Sequence, residues 1–261
     1  MVYDWESLVK TPLYQTILND WQELLDNSKL KEADYHNFLF STPAIFLIDD
    51  DAHLAISKLK LGADYETDFV IVKEGYSDGT IFDLIETESP HTTLFDKSGK
   101  PSAKFNSALQ QIRDWKRFLK NNKSTFRQVF PTINTRIISD SRLRFKIIIG
   151  RRNNDLEELE KRRQISEEEN IEIISFDRLT ELAQRRRLFF NDSYIVSAQM
   201  DAIDYKKKNE LANPFFECIS DSQWKRFCNK GSSHFYSGII DQIIQNRTYN
   251  KYFDEFKKLS F

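Results

Sequence analysis

Asp68, Glu86 and Glu88 are the residues whose types and spacing could do chemistry together. Asp68 opens one apolar run, TDFVIV (67–72), and the two glutamates close another within TIFDLIETESP (80–90). Side chains alternate across a strand, so Glu86 and Glu88 share a face while Asp83, Ile85 and Thr87 point the other way. The intervening KEGYSDG (73–79) contains Asp-Gly, a strong hairpin signal that folds the second run back and brings Asp68 near Glu86. Three carboxylates converging at a strand end would suit a hard, oxygen-loving cation such as Mg²⁺. The plainer alternative is a set of solvated acids on an edge strand. Against it, Ile81, Phe82, Leu84 and Ile85 suggest a strand covered on both faces, where unpaired carboxylates would be costly.

A helix over 103–120 is the element that must close over the hairpin. Phe105, Ala108, Leu109, Ile112, Trp115 and Leu119 recur at helical spacing and make its buried stripe. Gln111 lies at the edge of that stripe and could reach the carboxylates; taken alone it would read as a surface glutamine. Upstream, residues 1–40 read as helices, one with Leu18, Trp21, Leu24 and Leu25 inward and a second holding Tyr35, Phe38 and Leu39. Pro43 ends the second, because the residue before a proline is pushed out of helical geometry. The run Asp49-Asp50-Asp51 reads as a solvated acidic turn. Residues 131–180 alternate strand and helix: RFKIIIG, then the charged DLEELEKRRQISEEEN with 167–169 as an exposed acidic face, then IEIISF. That order fits an α/β sheet. Asp177 is a good N-cap for the helix that follows.

Composition bounds the rest. The 261 residues are 40% hydrophobic with 21 phenylalanines, enough for a sizeable core, and 30% charged. A net charge of −2 gives no general attraction to polyanions, so any nucleic-acid surface must be a local basic patch. Cys218 and Cys228 lack metal-ligand spacing and read as reduced thiols. No apolar run approaches the roughly 18 residues of a membrane span, and no signal-peptide core opens the chain. The expectation is a cytoplasmic protein with no membrane contact. Gly-rich phosphate loops, zinc spacings and internal repeats are absent.

The order D…E-x-E…Q-x-x-x-W resembles the PD-(D/E)XK nucleases and, more narrowly, the C-terminal nuclease domain of the Shedu family of bacterial anti-phage defence proteins. The matching pieces are ADYETDFVIV (63–72), LIETESPHTTLFDKSGKPS (84–102), SALQQIRDW (107–115), FKIIIGRR (145–152) and IEIISFDRL (171–179). The resemblance spans roughly 30–188 and implies a restriction-endonuclease-like α/β fold, a central mixed sheet flanked by helices. Residues 1–188 would form that nuclease-like domain with its helical N-terminal segment, and 189–261 a mainly helical C-terminal extension that could cap the sheet, pair subunits or meet a partner. The resemblance also implies that Asp68 and Glu86 hold Mg²⁺ (Mn²⁺ could substitute) and that Gln111 orients water or backbone beside it. Glu88 stands where the family pattern commonly has lysine; it could ligate an ion or accept a proton from water. Glu32, in KEADYHNFL, corresponds to the acid that an N-terminal helix supplies in this fold, with a solvent-facing role as its alternative.

The resemblance implies Mg²⁺-dependent hydrolysis of phosphodiester bonds in DNA, with double-stranded phage DNA as the expected partner, by a homo-oligomer that family resemblance makes a tetramer. Acids cannot hold the DNA backbone, so cations must: Lys104 and Arg113 on the 103–120 helix, with Lys116, Arg117 and Lys120 beside them, and Arg151 and Arg152 after KIIIG. Arg185, Arg186 and Arg187 read more simply as a solvated helix end. His234 reads as a surface or capping residue. The alternative function is a nuclease-like fold that binds nucleic acid or a partner without cutting.

Overall fold

In the computed structural model of this chain, residues 5–49, 52–75, 80–130, 142–189, 207, 209–228 and 235–259 are described. The helices α1 (Trp5–Val9), α2 (Pro12–Asp26), α3 (Glu32–Ser41) and α4 (Pro43–Phe46) precede β1 (Ala52–Ser57). Pro43 separates α3 from α4, as the sequence requires. The expected hairpin follows: β2 (Phe69–Glu74) pairs antiparallel with β3 (Thr80–Thr87), Phe69 opposite Ile85. Every residue of β3 is buried, consistent with a strand covered on both faces.

Next come α5 (Ala103–Asn121), α6 (Lys123–Val129), β4 (Leu143–Ile148), α7 (Leu156–Glu169), β5 (Glu172–Ile174) and α8 (Phe176–Phe189). Among the described residues the last elements are β6 (Ile219–Ser220), α9 (Asp221–Cys228), α10 (Phe235–Gln245) and α11 (Lys251–Leu259). The described strands form one six-stranded sheet in the order β5-β4-β3-β2-β1-β6. The neighbours β1-β2-β3 run antiparallel, whereas β3-β4, β4-β5 and β1-β6 are parallel. This is a mixed α/β sheet flanked by helices.

Alternation along each strand splits the core into two layers. Leu54, Val70, Phe82, Leu84 and Ile147 face α5, α6, α9 and α10, where Trp115 and Trp224 are fully buried. Ala55, Phe69, Ile71, Ile85 and Ile148 face α2, α4, α8 and α11, packed around Trp21 and Phe46. Burying an aromatic or branched side chain stabilises by roughly 1.5–3 kcal/mol, so these stripes hold the helices to the sheet. The α5 stripe read from the sequence, Phe105 to Leu119, is the one that is buried. Among its described residues the C-terminal segment holds the helices α9, α10 and α11 and adds a strand: β6 extends the sheet beside β1 and Trp224 donates to the Val129 carbonyl at 2.8 Å.

Three local expectations are corrected. Asp49 is no solvated turn residue, because Lys73 reaches it from β2 at 2.5 Å and also pairs with the buried Asp83 at 2.7 Å; Asp50 and Asp51 lie outside the described residues. Glu169 is not a free acidic face, since Arg113 crosses from α5 to pair with it at 2.5 Å. Asp177 sits inside the first turn of α8, two residues past the cap position Ser175, and its carboxylate accepts from Arg151 and from the Arg152 backbone. Cys218 is buried and Cys228 half-buried, both as free thiols. No described helix is long and apolar enough to cross a membrane.

Candidate active site

Asp68 precedes β2 and Glu86 lies near the end of β3, so the antiparallel pairing sets them together at the open end of the hairpin. The Asp68 amide donates to the Ile85 carbonyl at 3.1 Å, locking the register. Both carboxylates are buried, Asp68 6% and Glu86 7% exposed. Thr87 fixes the aspartate: its amide donates to Asp68 Oδ2 at 2.7 Å and its hydroxyl to the same oxygen at 2.6 Å. Lys58, one residue past β1, places Nζ 2.5 Å from Asp68 Oδ1.

The α5 helix completes the floor. Ser102 caps it by accepting from the Phe105 amide at 3.3 Å. With the buried stripe facing the sheet, Gln111 turns toward the hairpin and its Nε2 donates to Glu86 Oε2 at 2.8 Å. Its surface alternative is thereby set aside. Lys104, the second residue of the same helix, stands 3.2 Å from Glu88 Oε2 and 3.8 Å from Glu32 Oε2. Glu32 comes from the first turn of α3 and is half-exposed. These residues open onto a cleft of about 630 Å³ that Glu32, Lys58, Asp68, Glu86 and Gln111 line, with Asp64, Glu66 and Asp114 at its rim.

The surplus of negative charge shows in the titration of the acids. Glu86 is pushed up from its ordinary 4.5 to about 9, first by burial and then by the charges of Asp68 and Glu88. Glu32 is also raised, by burial and then by Glu88 and Asp68. The charge of Lys58 opposes the rise at Glu86 without cancelling it, so the carboxylates outweigh the positive charge beside them. A divalent cation at Asp68 and Glu86 would supply more, and the donors are of the hard oxygen type that Mg²⁺ takes.

The expected threefold convergence is not present: among the described residues, no three His, Cys, Asp or Glu side chains are gathered closely enough to hold an ion. Glu88 lies beyond the end of β3, where its amide pairs with the Ile148 carbonyl at 2.9 Å and its side chain leans to Lys104. Two carboxylates nevertheless fit Mg²⁺, which commonly keeps several waters and takes only one or two protein acids.

The cations are distributed differently from the expectation. Lys104 faces the acids. Arg113 bridges α5 to α7 through Glu169. Arg151 ties two helices, pairing with Asp177 of α8 at 2.9 Å and Asp26 of α2 at 3.2 Å and donating to the Leu25 carbonyl of α2. Arg152 pairs with Glu181. The structure therefore does not bring Arg113, Arg151 and Arg152 to the carboxylates. Lys116 donates to the Glu169 carbonyl and Arg117 pairs with Asp114. Arg185 is exposed near the end of α8, whereas the side chains of Arg186 and Arg187, and all of His234, lie outside the described residues.

Two residues of the site were missed in the sequence. Thr87 was assigned to the opposite face, yet its amide and hydroxyl converge on Asp68 from the strand end. Lys58 carries no motif, and only the pairing reveals it: Ser57 pairs with Phe69 and Lys60 with Glu66, so the turn around Gly62-Ala63 puts Lys58 opposite Asp68.

No curated protein and no solved structure matches the chain. One family model does, that of the Shedu protein SduA, C-terminal, over residues 29–180, which takes in Glu32, Asp68, Glu86, Glu88, Gln111 and the Gly-Arg-Arg after β4. That match covers more than half of the sequence, and the chain belongs to this family.

Proposed function

We propose that this protein is a metal-dependent endonuclease that hydrolyses phosphodiester bonds in DNA, on a PD-(D/E)XK-like arrangement, in defence against phage. The observation that carries the reading is the pairing of Asp68 and Glu86 at the hairpin's open end, with Gln111 on Glu86. Family membership supports the defensive role. The mixed sheet, the hairpin acids and the helix above them are the parts such a fold needs.

Asp68 and Glu86 would hold the ion, Mg²⁺ or Mn²⁺. When bound, the ion would offset charge growing on the phosphate and make water a nucleophile near neutral pH. Thr87 keeps the Asp68 carboxylate oriented, and Gln111 does the same for Glu86. Glu88, which pairs with Lys104 at 3.2 Å, would accept the proton that the attacking water gives up, with Lys104 stabilising its charged form. Lys104 and Lys58 are the cations nearest to where a phosphate would enter.

Substituting Glu86→Ala tests this directly. Duplex DNA cleavage in Mg²⁺ or Mn²⁺ should fall by about 100-fold or more, while DNA binding, measured in Ca²⁺, stays within a few-fold of wild type. Cleavage by the variant at the wild-type rate would remove Glu86 from the site. A non-cleaving binding module is favoured by one observation, the ammonium of Lys58 on Asp68, one of the two acids that would hold an ion. It would show as DNA binding with no cleavage of any duplex in either metal.

A further inference from the structure

Lys58 has a backbone that does not ask for a lysine. Its φ of 54° lies in the left-handed region, which glycine enters freely and most side chains avoid. Pairing holds it there, because its N–H donates to the Asp68 carbonyl at 3.0 Å and the neighbouring Thr67 amide donates to the Leu59 carbonyl at 2.9 Å. Such strained positions cluster at functional sites, where the side chain supplies the reason for the residue.

The side chain points into the cleft. Its Nζ lies 2.5 Å from Asp68 Oδ1 and 3.9 Å from Glu66 Oε1, and the side chain is 48% exposed. Of the described residues lining that cleft, the charged ones other than Lys58 are Glu32, Asp64, Glu66, Asp68, Glu86 and Asp114. A phosphodiester entering there meets acids on every side and one ammonium. Lys104 lies outside the lining and is turned to Glu88 and Glu32.

We propose that Lys58 is the phosphate-binding cation of this cleft: its ammonium, which pairs with Asp68, would turn to a non-bridging phosphate oxygen when Asp68 and Glu86 hold a divalent ion. The inference rests on the nuclease reading above. It gives this chain, from the end of β1, a positive charge that Glu88 cannot supply from β3. The flexible four-carbon stem lets Nζ turn between the two partners while the backbone stays paired.

The test compares Lys58→Gly and Lys58→Arg with wild type, as full chains, by three readouts. Thermal midpoint comes first: Lys58→Gly should match or exceed wild type, because glycine relieves the left-handed φ. Affinity for a short duplex in Ca²⁺, measured across a salt series, comes second: Lys58→Gly should reduce the slope of log K against log salt by about 0.9, the loss of one phosphate contact, and Lys58→Arg should keep it. Third, Mn²⁺-dependent cleavage should fall about 100-fold in Lys58→Gly. An unchanged salt slope, or cleavage within threefold of wild type, overturns the proposal and leaves the nuclease reading intact. If wild type binds DNA but cuts none, the nuclease reading fails by itself and the salt slope alone decides on Lys58. If wild type binds no DNA, both fail.

Discussion

Glu86 is the acid of the cleft whose burial and neighbours most oppose its charge. Its carboxyl titrates near 9 in the folded chain against 4.5 ordinarily, so between those values the folded state holds a proton that the unfolded state has released. The sign follows from linkage: the contribution to stability is fully present below about 4.5 and is lost as pH rises toward about 9. Thermal midpoints of the metal-free protein, scanned across that window, should therefore fall with pH from this residue, and Glu86→Gln should flatten the trend. A Glu86→Gln profile as steep as wild type would place the pH dependence elsewhere. At this scale much was legible. Asp68, Glu86 and Gln111 meet as their spacing and the hairpin signal imply. Thr87 and Lys58 were not, because strand alternation says which face a side chain takes but not which hydroxyl or ammonium bends round a strand end to reach a carboxylate.

The element that matters most to the site is α5, which carries Gln111 and Lys104 on one side and its Phe105–Leu119 stripe on the other. Its start is set by Ser102, whose Oγ accepts from the Phe105 amide. Ser102→Ala should cost about 1 kcal/mol of stability, read as a lower urea midpoint with an unchanged m-value. A midpoint equal to wild type would show that packing alone sets the helix start. The stripe was readable because six large apolar residues repeat at a single period. The cations of the same helix were not, since the partner of Arg113 is Glu169, 56 residues further on, and nothing local predicts that meeting. The Gly-Arg-Arg after β4 has a structural reason of its own. Gly150 takes φ 68°, and a Cβ there would come within 2.7 Å of the Thr92 carbonyl, so the glycine is required by close approach of backbone.

At the scale of the whole molecule, the sheet places Asp68 and Glu86 on the side of α5, whereas Arg151 and Arg152 pair with acids of α2 and α8. Arg151 joins α2 to α8 through Asp26 and Asp177, the role of a fastener between layers. Arg151→Ala should thus lower the thermal midpoint by a few degrees, as loss of about 1 kcal/mol does in a chain of this size, and leave the salt slope of DNA binding as in wild type. A slope reduced by about 0.9 with an unchanged midpoint would instead assign Arg151 to phosphate, as the family resemblance had suggested. The mixed sheet itself was foreseeable from the β–α–β order. The sixth strand was not: β6 is two residues long, too short for any alternation to register, and only its parallel pairing with Ile56 and Ser57 reveals it.

The cleft's acids, its hairpin and its helix converge on one claim, that Asp68 and Glu86 hold a divalent ion for cutting DNA. The most direct measurement is cleavage of linear and circular duplex DNA by the purified full chain in Mg²⁺ or Mn²⁺, beside EDTA and Asp68→Ala controls. Products that form with metal, vanish in EDTA and are lost in Asp68→Ala are the expected result. Products that persist in EDTA or in Asp68→Ala, or no cleavage of either form with metal present, would contradict it.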